Sequence, residues 1–236
     1  MNRICFNFAR KKTLKLISHL DMLRLFHRAL RRSGLPLAYS KGYSPHPRFN
    51  LALPLPLNTT SSEEWGEVLF EKKVTPEIFC ESLGGQLPEG LHLIKAEEED
   101  LKSPALPARV KGTLYKAFLL TLDREQKLPF PGLEHLISEL LAKEEILLTR
   151  INKKKKKYKV NVRPHILDMS LVKVNQEVVI SMLLRAGNEG GVSPYFVLQH
   201  LQGEKSFCLT GAYWELHREK IYFDDQILKF STSEGM

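Results

Sequence analysis

The 236-residue chain predicts an α+β protein in which the order strand–helix–strand–strand–helix–strand runs through twice. Two observations carry that expectation. Short alternating segments rich in β-branched and aromatic residues are interleaved with segments of helical period. A charged, proline-bearing stretch, Glu97–Lys111 (EEEDLKSPALPARVK), interrupts the pattern near the middle. The order within each round is that of the ferredoxin-like split βαβ arrangement, so the prediction is two ferredoxin-like units in tandem. Their bounds are 1–100 and 113–236, with 101–112 as the linker.

In the first round Arg3–Ala9 alternates, with Ile4, Phe6 and Phe8 on one face. A helix follows, opened by Ser18 and Asp21 as a capping pair and stopped by Gly34 before Pro36. At about 100° per residue, Met22, Leu23, Leu25, Phe26, Ala29 and Leu30 gather on one side. Arg24, His27, Arg28, Arg31 and Arg32 gather on the other. Leu37–Lys41 and Phe49–Leu53 are extended and flank the loop Gly42–Arg48 (GYSPHPR), after which Pro54 and Pro56 interrupt. Glu64–Lys72 is a strand, Thr75 and Pro76 start a helix that Gly84 and Gly85 end, and Gly90–Ala96 is a short closing strand.

The second round opens with strand Tyr115–Asp123 and helix Pro131–Lys143. Ile146–Ile151 and Tyr158–Val162 are extended around a lysine run, and Ile166–Val174 and Val178–Leu184 are strands. A short helix runs from Ser193 and Pro194 to Gly203, and Ala212–Phe223 closes the chain's regular structure. That is the same order with one hairpin to spare. The halves share no residue-level repeat.

With 43% hydrophobic and 26% charged residues the composition is that of an ordinary globular protein. No apolar run reaches the roughly 20 residues a spanning helix needs, and the N-terminus lacks the apolar core of a signal peptide, so a cytoplasmic protein with no membrane partner is expected. Cys5, Cys80 and Cys208 are too few and too scattered for a disulfide framework or an iron–sulfur site. Inert thiols, no metal and no cofactor are expected of the chain itself.

Charge is unevenly spread. Residues 1–60 hold eleven Lys/Arg against the single acid Asp21, a net +10, whereas residues 61–104 carry a net −7 and residues 105–236 a net +5. A one-signed helix face without compensating i,i+4 carboxylates seeks an anion, and phosphate backbone is the anion such surfaces most often meet. The expected RNA contacts are therefore Arg24, Arg28, Arg31, Arg32 and Lys41 to phosphates, with Tyr43, His46 and Arg48 to the nucleotide. A second basic patch, Lys153, Lys154, Lys155, Lys156 and Lys157 with Arg163 nearby, is expected to clamp the far side from a hairpin tip. His46, fixed between Pro45 and Pro47, and His19 are alternative acid–base candidates beside Asp21. The glycine-rich stretch 187–194 lacks the Gly-Lys-Ser/Thr of a P-loop and reads as a plain turn into a helix.

At Ser18–Asp21 (SHLD), the basic helix, GYSPHPR, Val162-Arg163-Pro164 and the Ser193-Pro194 helix start, the chain resembles the bacterial radical-SAM-linked domain of unknown function. The resemblance implies an accessory or substrate-handling module beside a radical SAM protein that carries a cobalamin-type domain. Because the chain begins at its first strand, it resembles the stand-alone form. The expected fold also resembles that of CRISPR repeat-processing endoribonucleases, an analogy of fold that does not fix function. Three functions are expected from this reading. The first is a noncatalytic RNA-binding module that presents RNA to the radical SAM partner. The second is a metal-independent endoribonuclease using His46 or His19, and the third a protein-only adaptor of that partner.

Overall fold

The computed structural model describes residues 1–121, 130–152, 154–174, 177–203 and 212–223. They form an α+β protein on a large, mostly antiparallel sheet, divided into two compact units. The first is Met1–Val110 with His217–Ile221, and the second Lys111–Leu216 with Tyr222–Met236.

The first unit is organised by alternation in β1 (Asn2–Arg10). Ile4, Phe6 and Phe8 point to one face and meet Met22, Phe26, Ala29 and Leu30 of α1 (His19–Arg32). Next come β2 (Phe49–Leu51), β3 (Thr59–Phe70), α2 (Pro76–Gly84) and β4 (Leu91–Glu99). The strands pair antiparallel in the order β4-β1-β3, and β2 pairs with β3. Phe6 sits opposite Gly66, where a Cβ would stand 2.8 Å from its ring, so the glycine makes room for the aromatic cluster. The Phe6 ring then lies 5.8 Å from Phe26, 6.2 Å from Phe49 and 5.0 Å from Phe79, tying β1 to α1, β2 and α2.

Two expectations change here. β3 starts at Thr59 rather than Glu64, because its first residues pair by backbone and bury Thr59 and Ser61 without any apolar alternation. The expected linker is packed rather than free. Glu97–Glu99 belong to β4, and Leu106 begins the one-turn helix α3 (Leu106–Arg109) with its side chain buried. Arg3 donates to the carbonyls of Leu101 and Ser103, and Arg109 pairs with Glu99 at 2.9 Å.

In the second unit the elements are β5 (Val110–Thr121), α4 (Phe130–Ala142), β6 (Leu147–Ile151), β7 (Lys157–Asn161), β8 (Ile166–Val174), β9 (Glu177–Arg185), α5 (Pro194–Gly203) and β10 (Ala212–Phe223). Strand β5 lies between β10 and β9, and β8 follows β9, whereas β6 and β7 form a hairpin of their own. Tyr115, Ala117 and Leu119 alternate inward against Leu133, Leu136 and Ile137 of α4 and Val197, Leu198 and Leu201 of α5. The expected second unit, 113–236, differs in that His217–Ile221 belongs to the first. Sequence spacing cannot show this, because the pairing is between residues more than 150 positions apart: Ser61 Oγ donates to the Arg218 carbonyl at 2.9 Å.

Candidate nucleic-acid interface

Helix α1 begins where Ser18 accepts a hydrogen bond from the Asp21 amide (3.2 Å) and donates its own hydroxyl to the Asp21 carboxylate (2.7 Å). Arg24 reaches back to the same carboxylate at 2.9 Å. These bonds, Ser18's first, hold the Asp21 carboxyl below its ordinary range. Past this pair the polar face is basic. Arg28 and Arg31 are exposed and make no hydrogen bond or ion pair among the described residues. Arg32 is also exposed, but its Nε and Nη2 donate to the Gln86 side chain (3.2 Å) and carbonyl (2.8 Å).

One edge of this face meets the GYSPHPR loop. The loop is a turned ribbon rather than a loose connection: Tyr39 bridges Pro47, Ser40 N donates to His46 O (2.9 Å), and Arg48 N donates to Ala38 O (2.8 Å). Leu69 N then donates to Arg48 O (3.0 Å), which fastens the ribbon to β3. Pro47 is buried while Lys41, Tyr43, His46 and Arg48 all face solvent. His46 Nδ1 lies 3.1 Å from Ser40 Oγ, and its ring centroid is 5.8 Å from that of His27. His27 rests edge-on against Phe49 (5.8 Å), and burial first, then the charges of His46 and Arg31, lowers its pKa. The ring that His46 meets is thus that of His27. His19, the first helical residue, lies elsewhere, beside Arg10, Glu64, Phe8 and Met22. Burial and then the Arg218 charge keep it below the ordinary imidazole range.

Two other basic residues of the N-terminal stretch turn inward. Arg10 donates to the carbonyls of Ile17, Pro56 and Thr59. Beside it Arg218 grips the Glu64 carboxylate through Nε (2.7 Å) and Nη2, and reaches the carbonyls of Pro54 (3.1 Å) and Leu53 (3.3 Å). Arg3 lies 3.7 Å from buried Glu67. Sequence reasoning missed this assembly and the Arg32–Gln86 clasp, since no local pattern links partners that far apart. Buried Cys5 is inert, its thiol pushed up to about 12 chiefly by burial.

In the second unit the hairpin carries its lysines outward. Lys154, Lys155, Lys156 and Lys157 are exposed around a turn that Asn152 organises by accepting from the Lys154 and Lys156 amides, both at 2.9 Å. Lys153 lies outside the described residues. Arg163 is more tightly held than the lysines: its Nε and Nη2 donate to the Leu141 carbonyl at the end of α4 and its Nη1 to Ile166 O (2.8 Å). A guanidinium so bonded caps the end of a helix. The glycine-rich stretch is a turn folded on a side chain, since a Cβ at Gly190 would meet the His165 ring at 3.1 Å.

A family model described as an uncharacterized protein conserved in bacteria, DUF2344, matches residues 3–194. The chain belongs to the DUF2344 family. No curated protein matches it. Among solved structures, the DUF2344 chain is similar to a chain of a Cbf5-Nop10-Gar1 complex, with 11% identity and a TM-score of 0.50 over 94% of this chain and 50% of that one. It is also similar to a chain of an archaeal box H/ACA sRNP Nop10-Cbf5 complex, with 10% identity and a TM-score of 0.47 over 97% and 53%. It spans about half the length of these two chains, and the likeness to the first is one of fold. Among its described residues no helix is long and apolar enough to cross a membrane.

Proposed function

We propose that this DUF2344 chain is a noncatalytic RNA-binding module that presents RNA to a partner radical SAM enzyme. The observation that carries the RNA half is the outer face of α1. Arg28 and Arg31 stand in solvent and form no ion pair with a carboxylate among the described residues, between the His27–His46 pair and the Arg32–Gln86 clasp. Side chains so placed exchange condensed counterions for phosphates. Tyr43, fully exposed on a ribbon fixed by hydrogen bonds, offers an aromatic face for an unpaired base. The lysine turn of β6 and β7 supplies further nonspecific affinity. The radical SAM partner is inferred from the SHLD and GYSPHPR resemblance alone.

We read both units as ferredoxin-like. In the first, β1-α1-β2 and β3-α2-β4 give the strand order β4-β1-β3-β2, and in the second, β5-α4-β8 and β9-α5-β10 give β10-β5-β9-β8. These are the same interleaved order, with β6–β7 as an insertion in the second.

The test is RNA affinity as a function of salt. Arg28→Glu with Arg31→Glu is expected to weaken binding by about tenfold or more and to flatten the salt slope. Equal affinity and slope in the double variant would remove the reading.

A further inference from the structure

The arginine strip has a second edge, and a groove runs along it. Leu25, Arg28 and Arg32, on neighbouring turns of α1, face Gln86 and Leu87 in the turn that follows α2. The space between them is an open groove of about 370 Å³, inside the range of about 300–1,000 Å³ typical of small-ligand sites. Its chemistry is lopsided: two guanidinium groups and no carboxylate among the described lining residues. Arg32 is held by two bonds to Gln86, so less side-chain entropy is lost when it meets an anion. Arg28 has no such tie and is free to complete the grip. Leu25, one turn from Arg28 on the same helix, and Leu87 across the groove are half-buried and packed against the core, which gives the groove an apolar part on either side.

We propose that this groove holds one unpaired nucleotide, its phosphate on Arg28 and Arg32 and its base against Leu25 and Leu87. A lone phosphate has no use for the apolar parts, and an apolar ligand has no use for two cations. A nucleotide uses both. A base stacked within a duplex cannot enter a groove from the side, so the site selects unpaired RNA. This inference rests on the RNA-binding reading and narrows it to a nucleotide subsite.

Gly85, which also lines the groove, permits a test that leaves every charge in place. Its φ is −67°, open to any residue, and a Cβ there has no atom within 4 Å, so Gly85→Phe adds a bulky ring at the groove's lining without strain. Binding of a labelled unpaired RNA of about eight nucleotides is expected to weaken about five- to tenfold in this variant. In parallel, adenosine 5′-monophosphate titrated into the ¹⁵N-labelled wild-type chain is expected to shift the amides of Gly85, Gln86 and Leu87, with inorganic phosphate shifting them less. Wild-type RNA affinity in Gly85→Phe, together with unmoved amides, overturns the groove and leaves the interface standing if Arg28→Glu with Arg31→Glu still weakens binding. Identical shifts with inorganic phosphate overturn the nucleotide assignment. Amide shifts with the mononucleotide in a chain that binds no RNA keep the groove and remove the wider interface. Should Gly85→Phe not fold, the titration of the wild-type chain decides alone.

Discussion

Arg10 and Arg28 come from the same basic N-terminal stretch and carry the same charge, yet they end in opposite surroundings. Arg10 is 2% exposed, with carbonyls from Ile17, Pro56 and Thr59 around its guanidinium and Glu64 close enough to offset part of the cost of burial. Arg218 beside it is 0% exposed and bonded to that same Glu64. Arg28 stands in solvent, where its charge is one of those that lower the Asp21 carboxyl without an ion pair between them. The contrast shows how little a charge count says about a surface. Part of the net +10 of residues 1–60 is internal, and part of the acidity of residues 61–104 is consumed there, Glu64 on Arg218 and Glu67 beside Arg3. What remains outside is concentrated on α1 and its flanking loop. Buried charges hold a structure only while paired, whereas exposed ones are available to a ligand.

The sharpest way to break the comparison is to remove the acid at its inner pole. Glu64→Ala leaves Arg10 and Arg218 buried without their carboxylate and is expected to cost about 3–5 kcal/mol in urea unfolding. A cost no larger than that of Arg28→Ala, which is expected to leave the urea midpoint where it is, would erase the distinction between the two classes of arginine. Next in size is Arg163→Ala. It strips the guanidinium from the carbonyls of Leu141 and Ile166 and is expected to cost about 1–3 kcal/mol while leaving RNA affinity intact. Weakened RNA binding at unchanged stability would return Arg163 to the interface. The smallest effect is a pH dependence. His19 and His27 both titrate below their ordinary value of 6.5, each first because of burial. As pH falls through that value the unfolded chain takes up protons before the folded one does, so their contribution is fully present above it and is lost below. The urea midpoint should therefore fall between about pH 7.5 and about pH 5.5, and less so in His27→Asn. A flat profile across that window would mean that neither ring is held neutral by its surroundings.

Much of this architecture was legible in the chain. The alternation of Ile4, Phe6 and Phe8, the Ser18–Asp21 cap, the period of Met22, Phe26, Ala29 and Leu30, and the Thr75–Pro76 helix start are local patterns, and each appears where its spacing places it. The first residues of β3 were not legible, because a Thr-Thr-Ser-Ser run has no apolar rhythm and becomes strand only through its partners. The same holds for the stretch 101–109, whose charges and prolines imitate a free linker until Arg3 and Glu67 pin it.

For the candidate site, the residue types and the exposed helix face were set by the order of amino acids, since helical period alone sorts Arg24, Arg28, Arg31 and Arg32 away from the core. Which of them stay available was settled only in three dimensions. Asp21 takes Arg24 from one turn away, Gln86 takes part of Arg32 from 54 positions away, and His27 finds His46 across a folded ribbon. The physical reason is range. Periodicity and capping act within a turn or two of backbone, whereas the pairing of a charge depends on which distant carboxylate or carbonyl the fold brings within about 3 Å.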